Sequence, residues 1–171
     1  MKIVKAGIES IQSIHQLAHA IWPVAYGHIL SKDQLEYMLE LIYSVSSLQN
    51  QIENLEHQFI LIYNDNIAVG FASYSPKEKK HKDVYRLHKL YVLPSQQGKG
   101  TGKFLLRYII TQIKSAGALQ LELNVNRKNS ALNFYNKMGF TIVREEDIDI
   151  LNGYFMNDYV MNLNLSHNHL F

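Results

Sequence analysis

Seven consecutive residues, Gln97-Gly98-Lys99-Gly100-Thr101-Gly102-Lys103, join a strand-like run to a long amphipathic segment. Glycines at a strand-to-helix junction let successive backbone N–H groups converge on one point, and the helix start adds partial positive charge. The arrangement suits phosphate oxygens, a pyrophosphate above all. Two familiar phosphate loops fail on single residues. Phe104 stands where a Walker A loop needs Ser or Thr after Gly-Lys, and Lys103 stands where GxGxxG counted from Gly98 needs its last glycine. A nucleotide hydrolase and a Rossmann dehydrogenase are therefore poor readings. Lys99 and Lys103 can add charge contacts to a phosphate, with ordinary surface lysines as the competing reading.

Other chemistry-bearing side chains are scattered. His15 and His19 have the four-residue spacing of a helical metal pair, but Gln16 occupies the position where HExxH carries Glu, and no third ligand is evident. No metal is expected. His88 is the best titratable side chain near the glycine stretch, because imidazole exchanges a proton near neutral pH. Trp22 and Tyr26 can hold an aliphatic amine against their ring faces, and Tyr154 and Asp158 are expected to reach the same cleft. Core packing for the aromatics and solvent exposure for Asp158 are the competing readings.

The elements that must position these residues come from the apolar periods. Ile3 to Lys5 reads as a strand, and Ile8, Ile11, Ile14, Leu17, Ala18 and Ile21 share one face of a helix that Trp22-Pro23 should break. Ser31 is an N-cap with Gln34 at the capping-box position, opening a helix through Leu35, Met38, Leu39 and Ile42. A short helix over Ser46 to Asn54 follows. Phe59 to Tyr63 and Ile67 to Tyr74 flank Asn64-Asp65-Asn66, which is hairpin chemistry. Lys77 to Asp83 reads as an exposed charged loop, and Val84 to Leu93 as a strand closed by Pro94. Phe104, Leu105, Tyr108, Ile109 and Ile113 mark one face of the helix after the glycine stretch, ending at Gly117. Leu119 to Val125 is a strand that the intervening helix should make parallel to Val84–Leu93. A helix over Ala131 to Met138 and strands over Phe140 to Ile150 and Tyr154 to Leu165 complete the chain, with a frayed tail after Asn164.

A length of 171 residues with 47% hydrophobic content fits one domain, 1–171, with a proper core. The formal charge of +2, from 17 basic and 15 acidic residues, is too near balance for a nucleic-acid or membrane-surface binder. Without Cys there is no disulfide framework, thiolate nucleophile or zinc ribbon. A polar N-terminus and the lack of any membrane-length apolar run point to a cytoplasmic protein.

The run from Leu87 to Ile109, LHKLYVLPSQQGKGTGKFLLRYI, resembles the acyl-CoA-binding signature of the GNAT superfamily of N-acetyltransferases. Leu121 to Phe140, LELNVNRKNSALNFYNKMGF, is similar to the strand and Tyr-bearing helix that complete such a site. More narrowly, IWPVAY, DQLEYML and GYFMNDYVMNL resemble the polyamine-acetylating PaiA type. The resemblance implies an α/β fold with a mixed, strongly twisted sheet, helices on both faces and a divergent parallel strand pair. It implies acetyl-CoA as cosubstrate, held by Gln97, by backbone amides of Gly98, Lys99, Gly100, Thr101, Gly102 and Lys103, and by the backbone of Leu90, Tyr91 and Val92. Val92 or Leu90 would supply the oxyanion donor, and Tyr135 would be the general acid. Relatives place an Asn seven residues before that tyrosine, where Lys128 stands here, so Asn129 is the shifted candidate and a helix cap its equal alternative. The Glu that some relatives use as base matches Asn124, with Glu122 expected to face away from it. The acceptor implied is a small primary amine, with a polyamine as the narrower expectation, served by a monomer or homodimer. A protein N-acetyltransferase and a CoA-binding sensor without turnover are the alternatives.

Overall fold

Strand and helix boundaries follow the apolar periods to within a few residues. The computed structural model describes residues 1–166. Its order is β1 (Lys2–Ala6), a 3-10 turn (Ile8–Ser10), α1 (Ile11–Tyr26), α2 (Lys32–Tyr43), α3 (Val45–Glu53), β2 (Gln58–Asn64), β3 (Ile67–Pro76) and β4 (Val84–Val92). A second 3-10 turn (Pro94–Gln96) leads to α4 (Thr101–Ser115), β5 (Gln120–Asn126), α5 (Ala131–Lys137), β6 (Thr141–Asp149) and β7 (Phe155–Asn164). The strands form a mixed seven-stranded sheet in the order β1-β2-β3-β4-β5-β7-β6. Among the described residues no helix is long and apolar enough to cross a membrane. Contacts group the chain into two compact units. One comprises Met1–Ser75 with Lys89–Arg107, the other Pro76–His88 with the chain from Tyr108 onward.

In the first unit β1, β2 and β3 pair antiparallel. The β2–β3 hairpin turns on Asp65 and Asn66, both at positive φ (47° and 65°), the two-residue geometry that these side chains tolerate. Phe59 to Ile62 are all buried. Helix α1 turns Ile11, Ile14, Leu17, Ala18, Ile21 and Trp22 inward, α2 adds Leu35, Met38, Leu39 and Tyr43, and α3 adds Leu48. Ser31 and Ser44 cap α2 and α3, accepting from the N–H groups of Gln34 and Ser47. Two expectations fail here. Pro23 does not end α1, which runs one turn further and closes where the Gly27 N–H donates to the Pro23 carbonyl. A proline removes one N–H and crowds one carbonyl, a cost that the buried Ile21 and Trp22 offset by anchoring the last turn. Ile8 lies in the 3-10 turn and is 49% exposed, off the apolar face assigned to it.

The junction of β3 with β4 is tight. An added Cβ on Gly70 would come 2.6 Å from the Tyr91 carbonyl oxygen and 3.2 Å from the Val92 Cα, so only glycine permits this approach. The strand pair is also out of step. Lys77 N–H donates to Val84 and Leu93 N–H to Val69, so β4 advances from 84 to 93 while β3 retreats only from 77 to 69. One extra residue in β4 is a β-bulge, which re-aims the side chains beyond it.

In the second unit β4 and β5 are parallel, as the crossover predicts, pairing Val84–Leu87 with Gln120–Leu123. Strand β7 pairs antiparallel with both β5 and β6. Helix α5 ends at Gly139 (φ 85°), where the Phe140 N–H folds back onto the Tyr135 carbonyl. The apolar stripe of α4 is rotated from its expected position, because Leu105, Leu106, Ile109 and Ile113 are buried whereas Phe104 is 43% exposed. The chain after Asn164 does not fray at once: Leu165 is buried and donates its N–H to Leu119 at 2.8 Å. Residues 167–171 of that expected tail lie outside the described residues.

Candidate active site

The glycine stretch adopts the conformation that its composition predicts. Gly98 and Gly100 have φ of 74° and 82°, and nothing lies within 4 Å of a Cβ built on either. The Phe104 N–H makes the first helical bond, to Gly100. The amides of Thr101, Gly102 and Lys103 thus form the orphan first turn of α4, open to an acceptor. Gln97, Lys99 and Lys103 are exposed, whereas the Thr101 side chain is buried, with its hydroxyl 3.7 Å from the Met1 sulfur. Thr101 therefore offers its amide and not its hydroxyl. Upstream, the Leu93 N–H and the Tyr91 carbonyl face β3, which directs the polar groups of Val92 to the opposite edge.

Tyr91 projects into an aromatic cluster built by α1, α2 and β3. Trp22 lies 4.5 Å from Tyr26 and 5.9 Å from Tyr91 between ring centres, with Tyr43 and Phe71 behind. The hydroxyls of Tyr26 and Tyr91 are 3.0 Å apart. Both Trp22 and Tyr26 thus gather at Tyr91, a partner that sequence reasoning had assigned only a backbone role. Beside them lies Lys89, buried with its Nζ 2.6 Å from Gln51 Oε1 and over the rings of Phe59 and Tyr43 at 5.5 and 5.7 Å. Burial pushes its pKa down to about 8. His57 falls to about 4, first through burial and then through the charge of Lys89.

A polar cluster occupies the second unit. Arg86 donates to Asn124 Oδ1, while Asn124 Nδ2 donates to Glu146 at 3.1 Å and Asp158 at 3.4 Å. Asp158 is only 6% exposed, contrary to the solvent exposure expected by default. Burial raises its pKa, and the charge of Glu146 adds to that rise. Glu122 does not face away from Asn124. Side chains two apart on a strand share a face, and both reach Arg86. Glu122 is buried and also meets Lys77 at 3.0 Å and Arg144 at 3.6 Å. Tyr135 is buried, its ring edge-on to Phe134 and Phe140 at 5.2 and 5.5 Å. Asn129 Oδ1 accepts the Ala131 N–H at 2.9 Å and so starts α5. His88 is half-buried on β4. Tyr154, also half-buried, closes the β6–β7 turn through its backbone bonds with Ile150 and Leu151. His15 and His19 spend their Nδ1 atoms on the carbonyls of Tyr43 and His15.

Comparison with known proteins reaches the same place. Residues 29–161 match the Acetyltransferase (GNAT) domain family. The chain belongs to the GNAT family. It is 30% identical over 154 residues to the spermidine N(1)-acetyltransferase of Thermoplasma acidophilum, covering 87% of this chain and 91% of that one. A [ribosomal protein bS18]-alanine N-acetyltransferase of Haemophilus influenzae is 32% identical over 123 residues, 71% of this chain and 77% of that one. Among solved structures, the PaiA N-acetyltransferase of T. acidophilum in complex with coenzyme A superimposes with a TM-score of 0.80 at 27% identity, covering 95% of this chain and 98% of that one.

As a GNAT acetyltransferase the protein is an acyltransferase, and its acetyl donor is acetyl-CoA. The residues present fit that donor. Positive-φ glycines with open space above them, followed by an uncapped helix start, suit a pyrophosphate. What sequence reasoning missed are Lys89, Tyr43, Gly70, Arg86 and Glu146. Arg86 and Lys89 left a signal, as charges inside the otherwise strand-like run Val84–Leu93.

Lys89 generates a test of stability. Its folded pKa of about 8 lies below the unfolded value near 10.4, so the unfolded chain binds more protons between those limits and stability rises with pH across them. Below pH 8 the cost of the buried ammonium is carried in full, roughly 3 kcal/mol before the Gln51 contact is credited. Lys89→Met should therefore unfold at a higher temperature than the native protein at pH 7, with the gap closing towards pH 10. Thermal melts at the two pH values check this, and a constant gap would contradict it.

Proposed function

We propose that this GNAT enzyme acetylates a small primary amine, most specifically a polyamine, within a complex that holds donor and acceptor together. The observation that carries the acceptor class is Asp158, a carboxylate kept in a largely buried position beside Asn124 and Glu146, where a cationic amine would relieve its isolation. The similarity to a spermidine acetyltransferase supports the same class. A peptide N-terminus is the second reading, favoured by the similarity to the bS18-alanine enzyme.

Backbone amides of Gly98 to Lys103 hold the pyrophosphate, with Lys99 and Lys103 adding charge at the exposed rim. Acetyl-CoA supplies an activated acetyl thioester. The polar edge of Val92, with Leu90 and Tyr91 alongside, takes the pantetheine in strand fashion, and the Val92 N–H is the donor for the developing oxyanion. Gln97 and Asn129 complete the donor site. Trp22, Tyr26, Asn124, Tyr154 and Asp158 contact the acceptor. Tyr135 gives a proton to the departing sulfur. A phenol near pKa 10 is no stronger an acid than a thiol near 8.5, so its contribution is positional. His88 accepts the proton of the amine directly or through water.

Three substitutions separate these roles. Gly100→Val places a β-branched residue at positive φ and removes the loop conformation, so CoA affinity should fall at least tenfold in a folded protein. Unchanged affinity by calorimetry would remove the loop from the donor site. Tyr135→Phe keeps the ring and deletes the hydroxyl. It should lower kcat while acetyl-CoA affinity stays within about twofold, and the reverse pattern would make Tyr135 a binding residue.

Asp158→Asn should raise KM for spermidine far more than for a monoamine of similar length. It should also stabilise the protein at neutral pH. The folded pKa is raised, so ionised Asp158 costs stability that appears as pH rises through that pKa and that the amide does not incur. Equal effects on both amines, with a peptide as the better substrate, would favour the peptide reading.

A further inference from the structure

Two hydroxyls meet at the aromatic cluster around Tyr91. Tyr26 and Tyr91 are half-buried, with their oxygens 3.0 Å apart. Behind them Tyr43 is almost wholly buried, its ring edge-on to that of Tyr91 at 6.5 Å between centres. Burial first, and the charge of Tyr26 second, raise the Tyr43 pKa well above its ordinary value, so it stays a phenol. The buried indole N–H of Trp22 has no partner at full hydrogen-bond geometry, yet it lies close enough to the Tyr43 hydroxyl to act against that rise. An indole N–H can only donate, and a phenol that keeps its proton can donate as well. Lys89 Nζ, 5.7 Å from the centre of the Tyr43 ring, adds positive potential there. Tyr43 is thus closed off in the core, and Tyr26 and Tyr91 are the half-buried hydroxyls of the cluster.

We propose that Tyr91 and Tyr26 carry away the proton that the acceptor amine loses on acetylation, Tyr91 taking it and Tyr26 releasing one to water. The proposal rests on the amine-acetylation reading above and makes the hydroxyl pair the main route for that proton, with His88 the minor one. Tyr91 lies between Leu90 and Val92, to which the thioester is assigned, and its hydroxyl meets the aromatics assigned to the acceptor. The step balances without any further reagent. As the N–C bond forms and the C–S bond breaks, the amine proton passes to the Tyr91 oxygen, the Tyr91 proton to Tyr26, and the Tyr26 proton to solvent. Sulfur leaves as thiolate and takes its proton from Tyr135. Each hydroxyl gains one proton as it passes on another, so neither tyrosine has to end the step ionised.

Tyr91→Phe and Tyr26→Phe keep both rings and remove one hydroxyl each. Either should lower kcat on the order of 100-fold with acetyl-CoA affinity unchanged by calorimetry, and the double variant should be little worse than the more damaged single one. The loss should shrink with a weakly basic acceptor amine, which gives up its proton without help. A purely structural role would depress transfer to strongly and weakly basic amines alike, and that result, or native kcat in both variants, overturns the proposal. Native protein that binds CoA but acetylates no amine overturns the functional reading itself, and this proposal with it.

Discussion

Strand β4 has to serve two neighbours at different registers, and the extra residue between Val84 and Leu93 is how it does so. Its first half pairs with β5 through Leu87. Beyond the slip, β3 holds the strand so closely that Gly70 has no room for a Cβ. That hold fixes which backbone edge each residue presents. The Tyr91 carbonyl is turned to β3, and the polar groups of Val92 are turned away from it. It also delivers Lys89 and Tyr91 into the aromatic cluster of α1, α2 and β3. Lys89 and Tyr91, two residues apart, share the face of β4 that looks into that cluster.

The two units bury charge by different means. In the second, Glu122 is surrounded by Lys77, Arg86 and Arg144, so its desolvation is offset by cations on three sides. In the first, Lys89 is held by an amide oxygen and two aromatic faces, a neutral environment that pulls its pKa down to about 8. Gln51, which grips the ammonium, is itself fixed by donating to the Ile42 carbonyl and the Ser47 hydroxyl. The α2–α3 junction is thereby tied to β4, and the cation is a structural link as well as a stability cost.

Local requirements were legible in the sequence. Asn and Asp at a two-residue hairpin, a serine before a helix, and glycines between a strand and a helix each act through their own φ values or their own side-chain oxygens. The parallel pairing of β4 with β5 followed from chain connectivity. Illegible features depend on what lies across the fold. Pro23 looked like a helix end because the anchoring burial of Trp22 is a tertiary fact. Asp158 looked exposed because nothing in its neighbours in sequence announces Asn124 and Glu146. The misjudged direction of Glu122 was of another kind, since strand periodicity alone places it on the Asn124 face.

The same distinction explains why the acetyl donor is easier to read than the acceptor. A pyrophosphate is bound through backbone amides, and the sequence records that demand as glycines at a helix start, one contiguous motif whose other side chains are free to vary. The side chains we propose for the amine come from separate elements: Trp22 and Tyr26 on α1, Asn124 on β5, Tyr154 in the β6–β7 turn and Asp158 on β7. Each has a competing structural role, and two of them, Trp22 and Asp158, are buried. A chain 30% identical to a spermidine acetyltransferase therefore carries the acetyl donor over with the fold. Under the proposed acceptor site, a few substitutions would change the amine without touching the glycine loop.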